Sequence, residues 1–255
     1  MIAEFAVAEH LPLMMHAAET AMEVSLMRDG SGPFAEGLSS RGIKWQAPGV
    51  STIQYLNDHG ILQTRPLLAH CVNVDETDVE TLQETQTRVA HCPKSNAKLG
   101  HGVAPFGKFL EAGVAVGLGS DSVASNNTCD LLEEARFALL MARSESAREN
   151  RQRQLSAEEL LRVATATGAR ALGLEGEVGE LKAGLQADFA VISLNAAHQI
   201  PSYEPESTLI FGSSGRDVVL TVVAGREVYR DGRVQTVDED RLRARMKEIA
   251  VKLAS

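Results

Sequence analysis

The 255-residue chain carries 25 Lys and Arg against 34 Asp and Glu, a formal net charge of −9, and it lacks the basic footprint that a nucleic-acid binder needs. Its length suits one α/β barrel or two smaller domains, and its three cysteines, Cys71, Cys92 and Cys129, suit a reducing cytoplasm better than a disulfide framework. The opening residues hold acids where a signal peptide has a basic region, and no apolar run approaches the ~18 residues of a membrane span, so a soluble cytoplasmic protein is expected.

Residues 2–9 have helical spacing, and the apolar stretch Leu11 to Met15 predicts a short strand that ends at His16. Residues 28–51, rich in Gly, Ser and Pro, predict a long excursion of the kind that often serves as a lid. It contains Trp45, which is either an anchor for that loop or a substrate contact. Ser51 or Thr52 predicts the cap of a helix that stops at Gly60. The pattern then repeats: a strand ending at His70, a helix over 75–86, a strand ending at His91, a helix over 106–112, and a strand over Val114 to Leu118 before Asp121. Further helices are expected over 129–143 and 156–167, the second opened by the capping box of Ser156 and Glu159. The basic excess at 143–153 reads as a solvated helix face. Beyond Gly173 the chain turns β-rich, with short pieces over 177–188, 189–194, 218–223 and 228–234, the last turning at Asp231-Gly232. An amphipathic helix over 238–254 closes it, with Leu242, Met246, Ile249 and Leu253 on one face. The predicted organisation is a βα-repeating part over 1–173 and a β-rich module over 174–255.

Three histidines and one aspartate therefore sit at the C-terminal ends of successive strands, where parallel α/β folds gather their chemistry. Alone, Asp121 could simply cap the helix expected after it. With the histidines it reads differently: imidazoles and carboxylates aimed at one point make a metal site, and a hydrolytic site needs one more acid to move protons. His16, His70 and Asp121 are candidate ligands or water-holders, and Glu19, three residues past His16, is the candidate proton shuttle. No Gly-rich phosphate loop, nucleophile-elbow serine or cysteine with a plausible base competes.

The stretches LLAHCVN (67–73), VAHCPKSNAKLGHG (89–102), GLGSDSVASNN (117–127), ADFAVI (187–192) and DVVLTVVAGREVYRD (217–231) resemble the amidohydrolase superfamily. The similarity is to its aminohydrolase branch, which includes methylthioadenosine/S-adenosylhomocysteine deaminases, guanine and cytosine deaminases and chlorotriazine hydrolases. The resemblance implies the C-terminal half of a (β/α)8 barrel, strands five to eight, plus a small β-sandwich module, with one divalent metal, Zn2+ or Fe2+. It implies that His16 and Asp121 are metal ligands and that His70 contacts the metal or orients the attacking water. Glu19 moves protons to a ring nitrogen and Asp121 accepts the proton of the water. His91, Ser95 and Asn96 match a motif near the substrate mouth, and Ser122 is polar enough to contact substrate there.

Members of that family begin with a strand bearing His-x-His, and this chain contains no His-x-His. Four parallel strands leave two open edges. The expectation is a hydrolase of carbon–nitrogen bonds, a deaminase of a purine, pyrimidine or triazine, inactive as an isolated chain and working as a homo-oligomer or with a complementing chain. The alternative is a catalytically inactive half-barrel that serves as an oligomeric or binding module. No membrane partner is expected.

Overall fold

A computed structural model describes residues 2–148 and 154–254; the end of the basic run, 149–153, lies outside the described residues. The chain divides into two compact units, Met1–Glu175 and Gly176–Ser255.

The first unit is built on a four-stranded parallel sheet in the order β1 (Met14–Ala17), β2 (Leu67–His70), β3 (Arg88–His91), β4 (Val116–Leu118). Sequence order and spatial order coincide, so each strand is followed by helical chain that returns it to the start of the next, as parallel pairing requires. The register sets Ala17 opposite His70 and His91 opposite Leu118, which brings the C-terminal strand ends level. Leu68, Val89 and Val116 are fully buried, and Phe106, Phe109, Leu139 and Leu160 complete the core. Each such side chain contributes on the order of 1.5–3 kcal/mol by leaving water.

After α1 (Ile2–Ala8), the helix α2 (Ala21–Asp29) starts where the Thr20 hydroxyl accepts from Glu23 N, and stops at Gly30, whose φ of 65° is left-handed. The segment expected as a long loop instead folds in part as α3 (Gly32–Ser40): Pro33 lies in its first turn, where a missing N–H costs nothing. Then follow α4 (Thr52–Asp58), capped by Ser51, and α5 (Glu76–Glu84), held by a capping box between Asp75 and Asp78. A helix not anticipated from sequence, α6 (Pro93–Leu99), follows β3, and α7 (Phe106–Glu111) leads to β4. After β4 come a single turn, α8 (Val123–Asn126), and α9 (Leu131–Arg148), which starts two residues later than expected and runs further. Asp130, not Asp121, caps α9, its Oδ1 accepting from Leu132 N and Glu133 N. The helix expected over 156–167 breaks at Thr165 into α10 (Ala157–Ala164) and α11 (Ala166–Leu172). The break lets α11 touch the sheet: a Cβ on Gly117 would lie 3.2 Å from Gly168 Cα, so strand and helix meet backbone to backbone.

In the second unit an antiparallel sheet runs in the order β5 (Phe189–Ile192), β6 (Val218–Val223), β7 (Arg226–Arg230), β8 (Arg233–Val234). Asp231 and Gly232 both have positive φ, 46° and 84°, as a two-residue hairpin turn of matching twist demands. Residues 177–188, expected to hold a strand, form turns instead. The last helix, Glu239–Ala254, exposes Leu242, Met246 and Leu253.

Candidate metal centre

Three side chains from the C-terminal edge of the parallel sheet converge: His16 in β1, His70 ending β2, and Asp121 beyond β4 offer ligand atoms that all lie within 4.8 Å of one another. The rings of His16 and His70 stack with centroids 5.2 Å apart. His70 is fully buried, whereas His16, on the edge strand, is exposed. The turns that aim them are strained, since His70 and Asp121 are non-glycine residues with φ of 74° and 57°. Such positions cost of order 1 kcal/mol and persist only where their surroundings hold them.

At Asp121 those surroundings are explicit. Its Oδ2 accepts from Ser95 Oγ and Ser125 Oγ, each at 2.6 Å, and its Oδ1 accepts from Ser122 N at 2.7 Å. Burial pushes the carboxyl up, but the hydrogen bonds from Ser125, Ser95 and Ser122 outweigh it and hold the group below the usual carboxylate range. The loop is pinned from behind by Asn126, whose Nδ2 donates to Ser120 O and to Glu134 Oε1, both at 2.5 Å. Glu134 is itself buried, with its carboxyl pushed up by that burial, and its Oε2 accepts from Lys94 N at 3.2 Å.

His70 Nδ1 lies 2.8 Å from Asn96 Oδ1. A carbonyl oxygen only accepts, so Nδ1 carries the hydrogen and the lone pair is on Nε2. That Nε2 is buried and has no hydrogen-bond partner. An orphaned imidazole lone pair beside a second imidazole and an ionised carboxylate is the donor set of a borderline divalent cation such as zinc or iron(II), and the residues present fit one.

Glu19 lies beside this cluster. Its Oε1 is 3.5 Å from His70 Nε2 and 3.3 Å from His101 Nε2. The turn that carries it is organised by Glu23, whose carboxylate accepts from Ala18 N at 2.8 Å, Glu19 N at 2.9 Å and Thr52 Oγ1 at 2.8 Å. Asn73 Nδ2 also donates to Glu19 O. Sequence reading passed over Glu23, Glu134 and His101. Thr20 to Glu23 has the spacing of a capping box and could have drawn attention to Glu23; Glu134 and His101 left no local signal.

The remaining candidates fall into two groups. Ser95 and Asn96 are buried, and their side chains bind Asp121 and His70, so they orient the cluster. His91 is buried and stacks on Phe106 with centroids 4.8 Å apart; burial, with a smaller electrostatic contribution from its neighbour His70, brings its pKa down to about 3. Ser122 is exposed and caps α8 through Ala124 N and Ser125 N. Trp45 lies away from the cluster's hydrogen bonds; its Nε1 donates to Leu26 O at 3.0 Å and its ring meets Tyr55 edge-on. Burial pushes the thiols of Cys71 and Cys92 up, Cys92 to about 12, so neither is a ready nucleophile.

The profile of the amidohydrolase family matches residues 1–228. A 5-methylthioadenosine/S-adenosylhomocysteine deaminase of Pelotomaculum thermopropionicum is 34% identical over 254 residues, which are 100% of this chain and 54% of that protein. Among solved structures, an adenosine deaminase from Xanthomonas campestris with bound zinc superposes with a TM-score of 0.83 at 28% identity, over 98% of this chain and 53% of that one. Atrazine chlorohydrolase from Arthrobacter aurescens TC1, complexed with zinc, does so with a TM-score of 0.78 at 28% identity, over 96% and 50%. The chain thus spans about half the length of the relatives it matches.

Proposed function

The chain belongs to the amidohydrolase family, and from that premise we propose that its strand-end cluster is part of a metal-dependent site that hydrolytically deaminates an aminated heterocycle. The observation that carries this reading is the convergence of His16, His70 and Asp121, with Glu19 Oε1 3.5 Å from His70 Nε2. Relatives named as deaminases and zinc-containing neighbours support it. Among the described residues no helix is long and apolar enough to cross a membrane.

His16, His70 and Asp121 would hold the metal, which when bound supplies Lewis acidity that makes water nucleophilic near neutral pH. Asp121, held ionised by three donors, takes the proton of the attacking water. Glu19 delivers a proton to the ring nitrogen next to the carbon under attack. A carbon–oxygen bond forms, the proton taken up by Asp121 passes to the amino nitrogen, the carbon–nitrogen bond breaks so that ammonia leaves, and Glu19 regains a proton from the new hydroxyl as the carbonyl forms. Asn96 keeps the lone pair of His70 on Nε2, and Ser95 and Ser125 keep Asp121 a carboxylate.

The parallel sheet reads as half of a (β/α)8 barrel, with β1 and β4 as its open edges, and the second unit as part of a β-sandwich. Further polypeptide, whether of the same protein, a second copy or another chain, covers those edges, completes the coordination on the exposed side of His16, and is required for turnover. The test is ammonia release from aminopurines, cytosine and aminotriazines by the zinc-loaded assembly. Glu19→Gln lowers turnover by roughly 10²–10⁴-fold, the usual worth of a general acid–base group, and leaves zinc bound. Full turnover by that variant would remove Glu19 from the mechanism.

A further inference from the structure

A cavity of about 680 Å³ opens at the opposite end of the parallel sheet, lined by the residues that lead into β2, β3 and β4, among them Arg65, Arg88 and Ala115. The metal cluster sits at the C-terminal ends of the strands. Four residues at roughly 3.3 Å each put on the order of 13 Å between the two, so the cavity is not a lobe of that site.

Three arginines line it, Arg65, Arg88 and Arg170. Arg88 is fixed: its Nε and Nη2 both donate to Arg65 O, at 3.1 and 2.7 Å. Its Nη1 lies against Gly173, the residue that ends α11, where a Cβ would come within 2.8 Å of it. Arg65 and Arg170 are exposed, and among the described residues their guanidinium groups have no side-chain or backbone acceptor. Arg88 and Arg65 are close enough that the charge of Arg65, after burial, lowers the pKa of Arg88. Two carboxylates, Glu84 and Glu175, line the same cavity, yet neither pairs with any of the three arginines. The arginines are thus gathered around a space and not neutralised by the acids nearest to hand.

We propose that this cavity binds a small phosphorylated, hydroxyl-bearing molecule, with Arg65 and Arg170 on the phosphate, Arg88 adding its charge from the cavity wall, and Glu84 or Glu175 on the hydroxyls. Planar guanidinium forks suit phosphate oxygens, which they bind in pairs of parallel hydrogen bonds, and a lining carboxylate is an acceptor for sugar hydroxyls. The volume falls within the range of small-molecule sites. Such a ligand ties together the three chain entries into β2, β3 and β4, and so bears on the sheet whose far ends aim His70 and Asp121.

The test is titration calorimetry of the full chain, stripped of metal with EDTA so that phosphate has no cation to bind, at physiological salt. Ribose 5-phosphate, inorganic phosphate and ribose are the probes. Ribose 5-phosphate is expected to bind at a single saturable site, more tightly than inorganic phosphate, with ribose silent. Arg65→Gln and Arg170→Gln each weaken it by about tenfold or more, as loss of a charge-assisted pair requires, with melting temperature unchanged. Glu175→Gln combined with Glu84→Gln weakens ribose 5-phosphate but not inorganic phosphate. No saturable binding of either phosphate, or wild-type affinity in both arginine variants, would overturn the site. Equal affinity for the two phosphates would overturn the hydroxyl contact.

Discussion

Asn96 Oδ1 lies 2.8 Å from His70 Nδ1, and this single buried contact decides which nitrogen of His70 is left to face His16, Asp121 and Glu19. The two residues are 26 positions apart, and the in-register pairing of β2 with β3 brings them together.

Asn96→Ala therefore frees the ring to rotate and to change tautomer. Loss of such an outer partner weakens metal binding by roughly 10–100-fold. Asn96→Asp keeps an acceptor at the same place and retains most of the affinity. Zinc titration against a competing chelator distinguishes the two, and equal affinity in all three proteins would show that the contact does not orient His70.

His91 gives a pH dependence. Its folded-state pKa is about 3, pushed down by burial, below the value of about 6.5 for an unfolded histidine. As pH falls below about 6.5 the unfolded chain takes up a proton that the folded chain refuses, so stability is lost down to about pH 3. The slope from this one group is about 1.4 kcal/mol per pH unit. Urea unfolding of metal-free protein and of His91→Gln across that window gives the difference in slope directly. Parallel profiles would mean that His91 protonates in the fold.

Gly119 tests how tightly the Asp121 loop is seated. A Cβ there would stand 2.9 Å from Cys92 Sγ, closer than two such atoms pack. Gly119→Ala is expected to cost about 1–3 kcal/mol, the usual penalty of overpacking. Adding Cys92→Ala removes the obstructing sulfur and recovers part of the loss. Chemical denaturation of the double-mutant cycle reads the coupling, and strictly additive losses would show that the two positions do not touch.

The strand-end positions of His70 and His91 were legible because each closes an apolar run that a helix signal precedes. The alternation of helices and parallel strands followed from the same periodicity. The helix α3 was hidden because Gly32, Pro33, Gly37 and two serines read as loop composition, although Pro33 in a first turn favours a helix. The turns at 177–188 resembled a strand because Val178, Leu181 and Leu185 alternate loosely with polar residues, and Leu181 proves to be almost wholly exposed. What the spacing of residues could not carry was contact across the sheet. Nothing local marks His101 as lying 3.3 Å from Glu19, or Glu134 as the acid that holds Asn126. Those pairings are set by how far each loop reaches after its strand, a tertiary quantity.

In the proposed site His16, His70 and Asp121 share one metal ion. Its most direct test is the zinc content and affinity of the purified chain, with His16→Ala, His70→Ala and Asp121→Ala alongside. About one zinc per chain is expected in the parent, with affinity falling at least tenfold in each variant, since each removes a ligand. Parent and variants binding zinc alike, or a folded parent that binds none within its assembly, would contradict it.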